Sequence, residues 1–213
     1  VRADLAYARS RYAALGQSGQ SVVAPPVVEG DSWMLRMEAD LLRTAPIAGG
    51  RELNLSVDAQ HDRASAQYKS LGALGAAGNQ VQHAVGLTAG FGVVSSRMQW
   101  SRRRDNVDLD LAFPRGIAET VSLTVGAPIG QLFDSAQPPA WAPTVVYDFN
   151  RSHSLADPGH VPTGQSHADL PDAMVTSHGL NLSWMIDRLS LGWRWSRTLQ
   201  DNRQSGFEAN DMA

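Results

Sequence analysis

The amino-acid sequence predicts an all-β protein whose strands form one antiparallel up-and-down meander. Three observations favour this fold class. Large apolar residues recur at every second position in nine separate stretches, which is the side-chain period of a strand. No stretch repeats its apolar residues with the period of a helix. The connections between the stretches alternate between short and long, as in a sheet whose consecutive strands are neighbours.

Each strand is predicted where a row of apolar residues alternates with polar or small ones. In the second strand, the alternation places Trp33 on the apolar side and Leu42 on the polar side. In the seventh strand, Trp141 opens the apolar row. In chain order, the predicted strands are residues 1–8, 33–42, 53–60, 85–91, 94–100, 121–127, 141–149, 180–186 and 189–195.

Two connections are predicted to be two-residue turns, because residues that face each other across a tight antiparallel turn lie on one face of the sheet. A turn at Gly92 and Val93 places Leu87 opposite Met98, and Gly92 suits the first position of a type II′ turn. A second turn at 187–188 makes every facing pair on one side apolar. Those pairs are Ile186 with Leu189, Trp184 with Leu191, Leu182 with Trp193, and Leu180 with Trp195.

The lengths of strands and connections indicate a transmembrane β-barrel, or part of one. Rows of four or five apolar positions imply strands of roughly 9–11 residues, the number that crosses a bilayer at a tilt of ~45°. Strands of soluble proteins more often have about 5–6 residues. We expect one domain over residues 1–213 with about nine or ten strands. Its long loops, all at one end, are predicted near residues 13–31, 64–80, 104–116 and 154–176.

Composition excludes several classes of protein. No run of about 20 apolar residues is present, so a transmembrane helix is excluded. A net charge of -3 with scattered basic residues is not typical of nucleic-acid binding. The absence of cysteine excludes disulfides, thiol catalysis and cysteine-ligated zinc. The chain begins at Val1 inside an alternating row, so we expect it to be processed or part of a longer polypeptide.

The two parities of the alternation predict two different surroundings. One parity carries charges, amides and glycines, as suits a polar lumen. The residues predicted to line it are Arg36, Glu38, Asp40, Asp58, Arg97, Asp148, Asn181 and Arg194. The other parity carries aromatic residues of the kind found at membrane interfaces. The residues predicted to face lipid or the interface are Trp33, Trp141, Trp184, Trp193, Trp195 and Tyr147.

A local motif covers the loop before the fourth predicted strand and the end of the fifth. The run AQYKSLGALGAAGNQVQHAVGLTAGFG, followed by SSRMQWSRRRDNVD, has a Tyr-x-Ser-Leu-Gly-Ala loop before one strand and Arg-Asp-Asn at the end of its partner. It resembles hairpins of large, poorly characterised Gram-negative outer-membrane barrels. The resemblance implies an outer-membrane, porin-like barrel that acts as a pore or as the membrane part of a transport, secretion or surface-display protein. It implies no catalytic residues. The matching positions are Tyr68, Ser70, Leu71, Gly72, Ala73, Arg104, Asp105 and Asn106.

The expected partners are the lipid bilayer and lipopolysaccharide, whose phosphates the cluster at 102–104 could contact, together with other chains or missing barrel segments. The alternative is a soluble, secreted β-sandwich that binds carbohydrate or protein, in which a second sheet covers the same apolar rows. No nucleic acid is expected as a partner.

Neither catalysis nor metal binding is expected, and no cofactor is predicted. A hydrolase set in a barrel wall would need a serine nucleophile beside one of the strand-end histidines, which are His61, His83 and His178. No spacing singles out such a serine. Three further histidines, spaced seven residues apart, match no known metal-ligand motif. These are His153, His160 and His167.

Overall fold

The computed structural model confirms the predicted all-β antiparallel meander. It describes residues 1–13, 27–47, 51–68, 78–110, 112–132, 139, 141–166, 170–186 and 188–204. In this part of the chain, nine strands form a single sheet in which each strand pairs with its neighbours in sequence. The sheet is open, with the first and last strands at its two edges. The strands of the described residues therefore lie in one sheet and not in the two sheets of a sandwich.

All nine strands are longer than the apolar rows that predict them. They extend from 12 to 21 residues, mostly because they continue past the apolar rows towards the long loops. The strands are β1 (Arg2–Ala13), β2 (Val27–Ile47), β3 (Arg51–Ala64), β4 (Gln80–Phe91), β5 (Val94–Asp105), β6 (Gly116–Pro128), β7 (Thr144–Ala156), β8 (Asp172–Ile186) and β9 (Leu189–Asn202). One short helix, α1 (Ile129–Leu132), follows β6. No helix in the described residues is long and apolar enough to cross a membrane.

Both predicted hairpin registers are confirmed. Leu87 pairs with Met98 across the β4–β5 turn, and Leu182 pairs with Trp193 across the β8–β9 turn. Gly92 has a φ of 58°, as the first position of a type II′ turn requires. The alternation of apolar residues therefore sets the register of both hairpins.

The predicted position of Leu42 is wrong because β2 contains two irregularities. The register between β2 and β3 shifts between Asp40 and Leu42, and again between Leu42 and Ala45. The first shift is a bulge that leaves Leu41 without a partner in β3 and pairs Leu42 with Leu55, a residue of the apolar row. Leu42 thus joins the apolar side instead of the polar side.

The predicted start of the seventh strand at Trp141 is also wrong. Trp141 lies in a turn, and β7 begins at Thr144. Two prolines explain the difference, because a proline has no N–H to donate to a neighbouring strand. Instead, the carbonyl of Pro139 accepts the N–H of Ala142 at 2.9 Å, and the carbonyl of Pro143 accepts that of Ile129 at 2.9 Å.

Little of the apolar side of the sheet is covered. Among the described residues, no large side chain is fully buried. The buried apolar residues lie mainly at the long-loop end, including Ile117 and Leu170. By contrast, the exposed fraction is 74% for Leu5, 47% for Met98 and 49% for Trp193. The described chain supplies no second layer that would remove these side chains from water.

Candidate functional site

All eight residues predicted to line a lumen lie on one face of the sheet, which we call the polar face. Cross-strand partners share a face, and the partners include Glu38 with Asp58 and Asn181 with Arg194. The polar face also carries small residues such as Gly86, whose partner in β3 is Asp58. The eight are Arg36, Glu38, Asp40, Asp58, Arg97, Asp148, Asn181 and Arg194.

Opposite charges pair on the part of the polar face formed by β2 to β5. Arg36 Nη2 lies 2.9 Å from Glu38 Oε1, and Arg97 Nη2 lies 3.6 Å from Asp58 Oδ1. A Cβ atom at Gly86 would overlap the Asp58 carboxylate, so glycine makes room for this acid. The paired side chains remain partly exposed, so each pair contributes little to stability. Their chief effect is to place both signs of charge close together.

Asp148 is the centre of a second polar group, formed by β6, β7 and β8. Thr124 Oγ1 donates a hydrogen bond to Asp148 Oδ1 at 2.8 Å. Asn181 Nδ2 donates to Asp148 Oδ2 at 3.2 Å. Both carboxylate oxygens are therefore held by neighbouring strands, which fixes this acid against the sheet.

The aromatic residues predicted to face lipid lie on the opposite, apolar face, except Trp141. Register places Trp33, Tyr147, Trp184, Trp193 and Trp195 there. Trp141 lies outside the strands, but it remains close, because Trp184 Nε1 donates to the carbonyl of Trp141 at 3.0 Å. The aromatic pair therefore lies at the short-turn end of the sheet.

Sequence reasoning placed three histidines at strand ends but did not show that they belong to a line of ionisable residues on the apolar face, which we call the ionisable edge. On β3 to β9 it is the first charged residue or histidine that follows the apolar row on the long-loop side. Counting the parity of each row beyond its last apolar residue would have found it. The residues are His61, His83, Arg102, Glu119, Arg151, His178 and Arg197.

The boundary between apolar and ionisable residues crosses the strands obliquely. On β1 and β2 the boundary is at the partners Arg9 and Asp31. On β9 the boundary is at Arg197. Following the cross-strand partners from Arg197 across the sheet, one strand at a time, leads to Ala39 on β2. Ala39 is eight residues from Asp31, so the boundary moves eight residues in total from β1 to β9. It stays in one row from β3 to β6, where His61, His83, Arg102 and Glu119 are successive partners.

The short-turn side of the apolar face shifts in the same direction. The row of partners through Ser95 on β5 reaches Asn181 on β8. β5 extends one residue beyond this row towards the short turns, to Val94, whereas β8 extends five residues beyond it, to Ile186. The apolar face is therefore a band of similar height on each strand, and the strands are tilted relative to it.

Several side chains of the ionisable edge are linked to neighbours. His61 Nδ1 and His83 Nδ1 are 2.8 Å apart, and the rings of Trp33 and His61 are 4.3 Å apart between centroids. Arg102 Nε lies 3.0 Å from Glu119 Oε1. Side-chain contacts therefore link the edge from β2 to β4 and again from β5 to β6.

The long-loop end also contains a buried polar cluster. Asn106 is 5% exposed, and its Nδ2 donates to the carbonyls of Asp110 at 2.9 Å and Phe113 at 3.0 Å. His160 is 7% exposed, and its Nε2 lies 3.0 Å from the carbonyl of Asp110. Asn106, a position of the Arg-Asp-Asn motif, thus joins the segment after β5 to the one after β7.

The three histidines of the seven-residue spacing do not form a common site in the described residues. His153 Nε2 lies 2.7 Å from Asp172 Oδ1, whereas His160 belongs to the buried cluster of Asn106. His167 lies outside the described residues, as do four positions of the resemblance motif at 70–73. No group of three or more metal-ligating side chains occurs in the part of the chain that the structure describes.

Arg203 follows β9 at the same end of the sheet. Its Nε donates to Asp201 Oδ2 at 2.8 Å, and this hydrogen bond raises the pKa of Arg203 above its ordinary value. Its backbone N–H donates to the carbonyl of Asp172 at 2.8 Å. The backbone of Arg203 therefore joins the end of β9 to β8, whereas its guanidinium pairs with a carboxylate of β9.

No protein-family model, no curated protein and no solved structure matches the chain.

Proposed function

We propose that this sheet is the membrane-spanning wall, or a segment of the wall, of a Gram-negative outer-membrane β-barrel. The barrel serves as a pore or as the membrane part of a transport, secretion or surface-display protein. One observation carries the proposal: the apolar face is an uncovered band that crosses the strands obliquely.

The slope of the band agrees with a barrel in a bilayer. An average shift of about one residue per strand between β1 and β9, with a rise of ~3.3 Å per residue and a strand spacing of ~4.8 Å, corresponds to a tilt of about 35°. Strands of outer-membrane barrels are tilted by roughly 35–45°. A membrane is flat while the strands cross it at an angle, so both sides of the apolar band must shift along successive strands.

Exposure of the apolar face favours lipid as the layer that covers it. Soluble monomers rarely expose a continuous apolar patch of more than a few hundred Å². Here exposed apolar side chains run from Leu5 on β1 through Met98 on β5 to Trp193 on β9. In a bilayer this face would be covered without a second protein layer.

The polar face then lines the lumen. Its predicted lining residues include Arg36, Arg97 and Arg194 together with Glu38, Asp40, Asp58 and Asp148, so both signs of charge are present. Rings of a single sign select ions of the opposite sign. The mixed and paired charges of this face favour hydrophilic solutes without strong selection between cations and anions.

Closure requires strands in addition to the nine described. A sheet in a bilayer cannot keep open edges, because lipid offers no partner to unpaired N–H and C=O groups. β1 and β9 run in the same direction, since eight antiparallel steps separate them. An all-antiparallel barrel therefore needs an odd number of further strands between these two edges.

Two neighbouring positions on β8 test the membrane assignment. Leu182 lies on the apolar face opposite Trp193, and Ser183 lies on the polar face opposite Gly192. Leu182→Arg should cost about 2–4 kcal/mol at a lipid-facing position and block insertion, whereas Ser183→Arg should insert as the wild type does. Insertion is measured by protease protection after folding into phosphatidylcholine vesicles.

Two results would contradict the proposal. The first is equal insertion of the two arginine variants. The second is a wild-type chain that stays folded and monomeric in plain buffer without detergent, because an uncovered apolar band cannot remain monomeric in water.

A further inference from the structure

An open groove lies where the ionisable edge meets the apolar band on β2 to β5. Its volume is about 470 Å³. The histidines and arginines of the groove lie on the long-loop side, where Leu35 ends their row, and Met37, Val85 and Trp100 lie in the next row towards the short turns. The side chains that define it are Leu35, Met37, His61, Val85, Arg102 and Arg104.

The two arginines of the groove retain unused donor capacity. Arg104 Nε is shielded from water and has no hydrogen-bond partner among the described residues. Arg102 Nε lies 3.0 Å from Glu119 Oε1, but the contact does not have hydrogen-bond geometry. A guanidinium carries five N–H groups in a planar fork that matches the oxygens of a phosphate. Because the Nε atoms are shielded from solvent, a phosphate in the groove would be bound by the Nη groups of Arg102 and Arg104.

The aliphatic side of the groove is suited to an acyl chain. Met37 is 46% exposed and Val85 is 42% exposed, and both belong to the apolar band. A ligand that satisfies both sides must join an anionic, oxygen-rich group to a hydrocarbon chain. A phosphate-bearing lipid has both parts, whereas free phosphate lacks the hydrocarbon chain.

We propose that this groove binds a membrane lipid whose headgroup carries phosphate. The phosphate contacts Arg102 and Arg104, and an acyl chain lies along Met37 and Val85. This proposal rests on the proposed function, because the groove faces lipid only if the apolar band lies in a bilayer. The long loops of outer-membrane barrels face outwards, so the bound lipid belongs to the outer leaflet.

The test is the binding of diphosphorylated lipid A to the protein in nonionic detergent micelles, measured by native mass spectrometry. Arg104→Gln should weaken binding at least about tenfold, because a charge-assisted hydrogen bond to phosphate is lost. Arg97→Gln is the matched control, because it removes the same charge from the same strand on the polar face. This control should change the affinity less than about twofold.

A second measurement needs no variant. Dephosphorylated lipid A keeps the acyl chains, so the wild type should bind it at least about tenfold more weakly than the phosphorylated form. Inorganic phosphate at millimolar concentration should not displace bound lipid A, because it lacks the chains.

Equal affinity for the two forms of lipid A would overturn the proposal, and so would equal losses in Arg104→Gln and Arg97→Gln. Displacement by inorganic phosphate alone would reduce the groove to a phosphate site and would overturn the lipid assignment. Insertion into phosphatidylcholine vesicles is scored separately. A chain that inserts but does not distinguish the two lipids refutes this inference and leaves the proposed function intact.

Discussion

At the scale of single residues, close backbone contacts explain one of two glycines that the alternation of side chains does not explain. Gly30 lies in β2, buried beneath the segment after β3, and a Cβ atom there would overlap Gln67 C and Tyr68 N. Gly90 lies in β4, where an added Cβ would approach nothing closer than Asn54 Nδ2 at 3.7 Å. The same residue type is therefore required for space at one position and not at the other.

Gly30→Ala should lower the free energy of unfolding by about 1–3 kcal/mol, because main-chain atoms must move to admit a methyl group. Gly90→Ala should change it by no more than about 0.5 kcal/mol. Both are measured by reversible urea unfolding in detergent micelles. Similar losses in the two variants would show that the close approach of Gln67 and Tyr68 does not require glycine at position 30.

At the scale of elements, the apolar alternation predicts which strands pair and in which register, but not where the register is interrupted. Both two-residue hairpins follow from the requirement that facing residues share a face. The bulge at Leu41 is not predicted, because an extra residue leaves apolar side chains on both parities and the sequence does not show which one is unpaired. The start of β7 is missed because Trp141 extends an apolar row that Pro143 interrupts.

The β4–β5 turn allows a direct test of the hairpin. Gly92 has a φ of 58°, a conformation that costs an L-residue about 1–2 kcal/mol. Gly92→Ala should therefore destabilise the hairpin by that amount and speed amide hydrogen exchange across β4 and β5 by roughly 5–30-fold.

Val93→Ala is the matched control, since it changes the same turn without placing a side chain at a positive φ. It should leave exchange in the hairpin nearly unchanged. Faster exchange in Val93→Ala than in Gly92→Ala would argue against a turn conformation set by the glycine.

At the scale of the whole molecule, the sequence predicts which residues lie on each face of the sheet. It does not predict the angle at which the boundary of the apolar band crosses the strands. Alternation assigns Arg36 or Asn181 to a face, because parity along one strand is enough. The oblique course of the ionisable edge depends on the register of all nine strands at once, and a bulge in any one of them changes it. The sequence indicates the arginine cluster at 102–104 but not the groove around it, because the groove needs four neighbouring strands in register.

The most direct test of the membrane wall is the reactivity of single cysteines along β8 and β9. The chain has no cysteine of its own, so each introduced thiol is the only one present. In phosphatidylcholine vesicles, Asn181→Cys, Ser183→Cys and Arg194→Cys should react with a small water-soluble thiosulfonate. Leu182→Cys and Trp193→Cys should react only after the vesicles are dissolved in denaturant. Equal reactivity on the two parities in intact vesicles would contradict the membrane-spanning sheet.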